Sequence, residues 1–373
     1  MKIPFLQLST LNGQYASELK EAANRVIESG WYLNGVENKS LEQEICDNCG
    51  ASHCVTVSNG LDALRMIFKA YLISGQLKHG DEVIVQANTY IASILAISDN
   101  GLIPVLVEPS IETYNLDSKK IEKKITSKTK AILIVHLYGT PCWDEQIKEI
   151  ANRHNLIVIE DNAQAIGAKS NITGVDNKSS KTGAIGHSAA FSFYPTKNIG
   201  ALGDAGAVTS SDEGIISIIR ALSNYGSDRR YHNIYQGYNC RMDELQAAFI
   251  RVKLKHIDSE TRHRQAIAQI YNDIITNPQV TVPRIFDNMT QVWHQYVVRC
   301  KRRNLLKQFL TSKEIETDIH YATPPHKQPC YNGILTGEYP ITESISNEIL
   351  SLPIATIDFQ SAEKLAQTIN SFN

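Results

Sequence analysis

The chain lacks any long apolar run: no stretch reaches the roughly 18 apolar residues that a membrane-spanning helix needs. It also lacks a charge excess, with 37 Lys+Arg against 39 Asp+Glu for a formal net charge of −2. General attraction to nucleic-acid phosphates requires a basic surplus, so that class is excluded and any bound anion must be held locally. Cysteine is scarce, seven in 373 residues, odd in number and scattered. That is no disulfide framework and reads as reduced thiols of the cytoplasm. The one cluster, Cys46-Asp-Asn-Cys49 with His53 and Cys54 behind it, has no second pair at zinc-finger spacing. It reads as the end of an amphipathic helix from Leu41 to Cys46, a stop at Gly50 and a strand opening at Cys54, so no metal is expected. The opening MKIPFLQLSTLNG has no apolar core behind a basic start, and no secretory signal is expected from it.

What is present is ordinary globular composition, 42% apolar and 20% charged, which excludes disorder for most of the chain. The length predicts a large domain over 1–245 and a smaller one over 246–373. In the first two-thirds, short runs of apolar and β-branched residues alternate with helical patterns. The runs are Val83–Ala87, Pro104–Glu108, Ala131–His136, Leu156–Glu160, Ala189–Phe193 and Gly206–Thr209. Near-continuous runs of this kind fit strands buried on both faces of a mainly parallel sheet. Segments Ile91–Ser98, Ser118–Ile125 and Trp143–His154 are long enough for crossover helices. The fold class is therefore α/β. Polar residues stand at the strand ends: Asn88-Thr89-Tyr90, Glu108-Pro109, His136-Leu-Tyr138 and Glu160-Asp161-Asn162. In open α/β sheets ligands sit beyond the carboxyl ends of strands, which makes these the first candidate site residues. Beyond Leu245 the pattern predicts one long helix over about Met242 to Ile270. Its basic residues (Arg251, Lys253, Lys255, Arg262, Arg264) read as a solvated face. Alternating segments Val292–Arg299 and Glu316–Tyr321 and a closing helix near Ser361–Ile369 complete a small α+β domain.

Three stretches carry chemistry. In Ser192-Phe-Tyr-Pro-Thr-Lys197-Asn-Ile-Gly-Ala-Leu-Gly-Asp204-Ala-Gly206 a strand delivers Ser192 and Tyr194, Pro195 breaks it, and Lys197 follows among neutral and glycine neighbours. A desolvated lysine loses basicity and becomes a Schiff-base nucleophile; a phosphate loop or a plain turn would read the same way. In Val158-Ile-Glu160-Asp161-Asn-Ala-Gln164 a carboxylate ends a strand. Such a group keeps a pyridine nitrogen protonated in a pyridoxal phosphate (PLP) enzyme; taken alone, Asp161 also reads as a helix N-cap. In Val57-Ser-Asn-Gly60-Leu61-Asp62 a strand turns through glycine into a helix, whose first N–H groups suit a phosphate. Tyr90 is placed either flat on a cofactor ring or in the rim of the core.

With these motifs, together with Tyr238-Asn-Cys-Arg-Met-Asp-Glu-Leu-Gln246, the chain resembles the DegT family of PLP-dependent nucleotide-sugar aminotransferases, over nearly its whole length. The resemblance implies the fold-type-I architecture and a homodimer with shared active sites. It gives Lys197 as the lysine that holds PLP covalently, Asp161 at the pyridinium nitrogen and Gln164 near the 3-hydroxyl. Ser192 and the backbone of Gly60 and Leu61 would hold the phosphate, Asn239 would reach the partner chain's phosphate, and Tyr90 would stack on the ring. Leu61, Cys240 and Ala205 depart from the family's usual threonine, serine and glycine. A lysine at 197 does not fit the family's dehydratase branch, which carries histidine there. The stretches Ser58–Leu64 and Glu108–Asn115, Tyr194 and the His320-Tyr321 pair resemble the branch that aminates C3 of dTDP-linked 3-keto-6-deoxyhexoses with L-glutamate. His320, Tyr321 and Tyr194 are then the sugar-side catalytic candidates, with the Pro-rich loop Ala322–His326 over the sugar. Two rivals remain: amination at C4 of a UDP- or dTDP-4-keto sugar, and a PLP-binding regulator without turnover. The expected setting is cytoplasmic, with no nucleic acid and no membrane.

Overall fold

A computed structural model describes residues 2–373. Seven strands form one sheet: β1 (His53–Val57), β2 (Glu82–Gln86), β3 (Ile103–Val107), β4 (Thr129–Val135), β5 (Ile157–Asp161), β6 (Ser188–Ser192) and β7 (Gly206–Ser210). Their order is β1-β7-β6-β5-β4-β2-β3, and β7 alone runs antiparallel to its neighbours. The mainly parallel sheet expected from the apolar runs is therefore observed, with strand ends within a residue or two of those read from sequence.

Strand alternation explains why the runs are apolar throughout. Val83 and Val85 face one core cluster while Ile84 faces another, and Ala131, Leu133 and Val135 are likewise split from Ile132 and Ile134. Successive side chains point to opposite faces, so a strand covered on both sides has no position to spare for polar residues. Helices Gly60–Ile73, Ile91–Ser98 and Glu213–Ser223 cover the first face. Helix Glu145–Arg153 covers the second. Each fully buried Val, Ile or Leu contributes roughly 1.5–3 kcal/mol before entropy is set against it.

The C-terminal region has its own cluster, built on helices Ile257–Ile274, Arg303–Ser312 and Phe359–Asn370 and the antiparallel strands Tyr296–Arg299 and Ile349–Leu352, with Ile3 added. Alternation stitches the two cores together: Val297 and Ile349 pack into the main cluster, Tyr296, Val298 and Leu350 into the C-terminal one.

Three expectations are corrected. The long helix is two, Glu244–Leu254 and Ile257–Ile274, broken at Lys255-His256. Its basic face is not all solvated. Arg264 is 1% exposed and donates to the carbonyls of Trp293 and His294, and buried Lys253 donates to the Gly200 carbonyl. Glu316–Tyr321 forms no strand, only a single bridge from Asp318 to Ser351.

Candidate active site

The carboxyl ends of β1, β5 and β6 and the start of β7 lie at one edge of the sheet, because Gly206 pairs with both Ser192 and Val57. A Cβ on Gly206 would come within 2.5 Å of the Asn59 carbonyl carbon, so only glycine lets the turn after β1 cross here. That turn opens helix Gly60–Ile73, with the Asn59 side chain capping the Asp62 N–H at 2.9 Å. Among the described residues the N–H groups of Gly60 and Leu61 have no acceptor, and both residues line the cleft. A Cβ on Gly60 would stand 2.7 Å from the Ser192 Cβ, filling the cradle between that serine and the helix start.

Of the residues given a cofactor or catalytic role by the resemblance, all except Asn239 line this one cleft of about 520 Å³. The size lies within the roughly 300–1,000 Å³ common for small-molecule sites. Lys197 enters on a tight turn in which its N–H donates to the Tyr194 carbonyl at 2.8 Å. Burial lowers the Lys197 pKa to about 8, against an upward pull from Asp161. Lys253 is also lowered to about 8 by burial, but it lies under the loop on the Gly200 carbonyl, away from the cleft. Asp161, 7% exposed, accepts from the Ser93 hydroxyl at 2.7 Å and from the Ala163 N–H at 3.2 Å. Gln164 accepts from the Tyr138 N–H at 2.6 Å and donates to the Tyr321 hydroxyl at 3.1 Å. The Tyr90 and Tyr321 rings meet at 4.8 Å, and burial raises the Tyr321 hydroxyl far above its ordinary pKa. His320 lies beside Tyr321 with Nδ1 2.8 Å from Ser351 Oγ; burial lowers its pKa, keeping the ring neutral near pH 7.

Asn239 stands outside the cleft, in contact with Arg241 and on the bridge to Asn224, next to exposed Tyr225. Most of the polar strand-end residues do not reach the cleft either. Asn88 donates to the Tyr114 carbonyl, and Glu108 caps helix Pro340–Glu348 by accepting from the N–H groups of Ile341 and Thr342. His136 and Glu160 pair inside the core at 2.8 Å. Loop Ala322–His326 ends in buried His326, paired with Glu343. Cys46, Cys49 and Cys54 are buried in the core.

Sequence reasoning missed His294, which lines the cleft. Asn198 spends its amide N–H on the Val292 carbonyl and faces His294 Nδ1 with its oxygen at 3.0 Å, which puts the ring proton on Nδ1. Burial and the nearby Lys197 lower the His294 pKa, so it is neutral. Its only sequence signal is the polar pair His294-Gln295 just before the strand that opens at Tyr296. The motif ending in Gln246 turns out to support the lysine loop: Gln246 accepts from the Leu202 N–H at 2.9 Å.

A lysine of lowered basicity facing a carboxylate, beside a helix start whose first N–H groups are free, fits PLP chemically, and the sheet is that of fold-type-I PLP transferases. Comparison places the chain within that class. The DegT/DnrJ/EryC1/StrS aminotransferase family matches residues 14–369, and the chain belongs to this family of PLP-dependent enzymes. It is 47% identical over 371 residues, 99% of each chain, to the dTDP-3-amino-3,6-dideoxy-alpha-D-galactopyranose transaminase of Aneurinibacillus thermoaerophilus. It is 40% identical over 356 residues to the dTDP-3-amino-3,4,6-trideoxy-alpha-D-glucose transaminase of Streptomyces venezuelae, covering 95% of this chain and 91% of that one. The crystal structure of S. venezuelae DesV in complex with a ketimine intermediate has a TM-score of 0.93 at 38% identity, over 99% of this chain and 98% of that one.

Proposed function

We propose that this aminotransferase moves an amino group from L-glutamate to C3 of a dTDP-linked 3-keto-6-deoxyhexose, giving a dTDP-3-amino-3,6-dideoxyhexose. The observation that carries the reading is full-length identity of 47% to a transaminase named for that product, on a chain that keeps Lys197, Asp161, His320 and Tyr321 around one cleft.

PLP, when bound, supplies an electron sink through its protonated ring nitrogen. Lys197 would hold it covalently and, once displaced by the amino donor, would carry the proton away from the donor's Cα. Its lowered pKa leaves a useful fraction neutral near pH 7. Asp161 would hold the proton on the ring nitrogen. Ser192 Oγ and the N–H groups of Gly60 and Leu61 would receive the phosphate, Gln164 would lie by the 3-hydroxyl, and Tyr90 would cover one face. His320, Tyr321 and Tyr194 would face the sugar. The enzyme would act in the cytoplasm as a homodimer, in which Asn239, outside its own chain's cleft, reaches the partner's phosphate site. The exposed aromatic Tyr231, 87% exposed, and Trp31, 63% exposed, support a covered surface of that kind.

The test is product analysis. Purified holoenzyme is given L-glutamate with dTDP-linked 3-keto-6-deoxyhexoses of both C4 configurations, and separately with UDP- and dTDP-4-keto sugars. Mass spectrometry and NMR should find nitrogen at C3. Nitrogen at C4, or no turnover of either 3-keto sugar, overturns the reading.

A further inference from the structure

Helix Ile91–Ser98 carries two serines that use their hydroxyls differently. Ser98 donates back to the Ile94 carbonyl at 3.1 Å, the usual recourse of a serine inside a helix. Ser93, fully buried, donates instead to Asp161 Oδ2 at 2.7 Å. A hydroxyl has one proton, so the second contact of Ser93, 2.8 Å to Thr89 Oγ1, must be one in which Thr89 donates. The directions are thereby fixed, Thr89 to Ser93 to Asp161. Alanine is the better helix former at such a position and packs without a polar atom, so neither helix stability nor core packing accounts for the hydroxyl.

We infer that Thr89 and Ser93 are positioning residues for the established transamination: a two-hydroxyl chain that orients the Asp161 carboxylate and holds it toward the ring nitrogen. Two hydroxyls in series polarise one another, so the bond that reaches Oδ2 holds the carboxylate more firmly than a lone hydroxyl would. With Ser93 on Oδ2 and the Ala163 N–H on Oδ1, the carboxylate plane is held where the residue lines the cleft. Tyr90, the cap residue of the same helix, lies between the two hydroxyls in sequence, so one element would set both the ring's face and its nitrogen partner. The inference rests on Asp161 meeting the ring nitrogen, and the experiment separates the two.

Full-length holoenzyme is loaded with PLP carrying nitrogen-15 in the ring, as wild type, Ser93→Ala, Thr89→Val, the double variant and Asp161→Asn. The ring-nitrogen NMR shift reports protonation directly, and single-turnover absorbance follows both half-reactions. Ser93→Ala should move the shift toward the unprotonated value and slow both half-reactions alike, by about 10- to 100-fold for one lost hydrogen bond to a charged group. Thr89→Val should have a smaller effect and add nothing in the Ser93→Ala background, because the hydroxyls act in series. If Ser93→Ala does not yield folded holoenzyme, Thr89→Val carries the same two readouts, and a wild-type shift and rate there sinks the chain. A wild-type shift and rates within about twofold in Ser93→Ala, with Asp161→Asn shifted, overturns the inference alone. An unshifted Asp161→Asn overturns the Asp161 reading itself.

Discussion

Replacing Glu160 with Gln tests what holds the strand edge beneath the cleft. The side chain is fully enclosed. Oε1 accepts from the N–H groups of Ile185 at 2.9 Å and Gly186 at 2.8 Å. Oε2 accepts from the Gly183 N–H and from His136 Nε2, both at 2.8 Å. His136 Nδ1 accepts from the Cys142 N–H at 2.9 Å, which places the ring proton on Nε2. Glutamine keeps the volume but only one oxygen. With that oxygen toward Ile185 and Gly186, its NH2 faces two donors; flipping the amide moves the conflict to the other pair. The histidine cannot change tautomer without setting a second donor against Cys142. Two buried donors are therefore orphaned at about 1–3 kcal/mol each, or about 2–6 kcal/mol together, against a global stability of about 5–15 kcal/mol. Urea unfolding followed by circular dichroism, at one protein and one cofactor concentration, should show the midpoint fall with the slope unchanged. A loss below about 1 kcal/mol would refute the acceptor set.

Three further outcomes follow from the site. Lys197→Ala should abolish turnover and keep the fold, and borohydride should fix PLP on the wild-type peptide containing residue 197; label on Lys253, whose pKa burial also lowers to about 8, would show that burial alone had misled the assignment. Covalent capture of PLP by apo-protein should quicken about tenfold per pH unit below 8 and level off above, since only the neutral amine attacks and burial lowers the Lys197 pKa to about 8; a flat profile from pH 6.5 to 9 contradicts it. His320→Gln should leave the glutamate half-reaction near wild type and slow the sugar half-reaction by roughly 10²–10⁴-fold, or less if the ring only binds; equal slowing of both halves in single-turnover spectra would remove the sugar-side role.

The sheet was legible because burial on both faces leaves a strong mark: Ile91–Ser98 and the strand cores stand where apolar runs put them. The cleft residues were legible for a different reason, since turns after strands must end in residues such as Asn59 and Gly60 whatever they bind. What stayed hidden depends on partners far along the chain. Arg264 looks like a solvated charge until the carbonyls of Trp293 and His294 close on it, and burial then lowers its pKa to about 10. His294 gains meaning only from Asn198, and Gln246 only from the Leu202 N–H. No periodicity encodes such pairs.

Glu160 and Asp161 show how closely structure and chemistry are bound at this edge. They are adjacent on β5, so they face opposite sides of the sheet. A slip of one residue would put each on the other's face; in the register that brings Asp161 to the place of Glu160, it would turn from the cleft toward the donors of Gly183, Ile185 and Gly186. Asp161 is one methylene shorter and would meet those N–H groups poorly, and it would lose Ser93 as well. The slipped register is thus penalised twice. A carboxylate that does no chemistry fixes the phase of the strand, and that phase delivers the neighbouring carboxylate to the lysine.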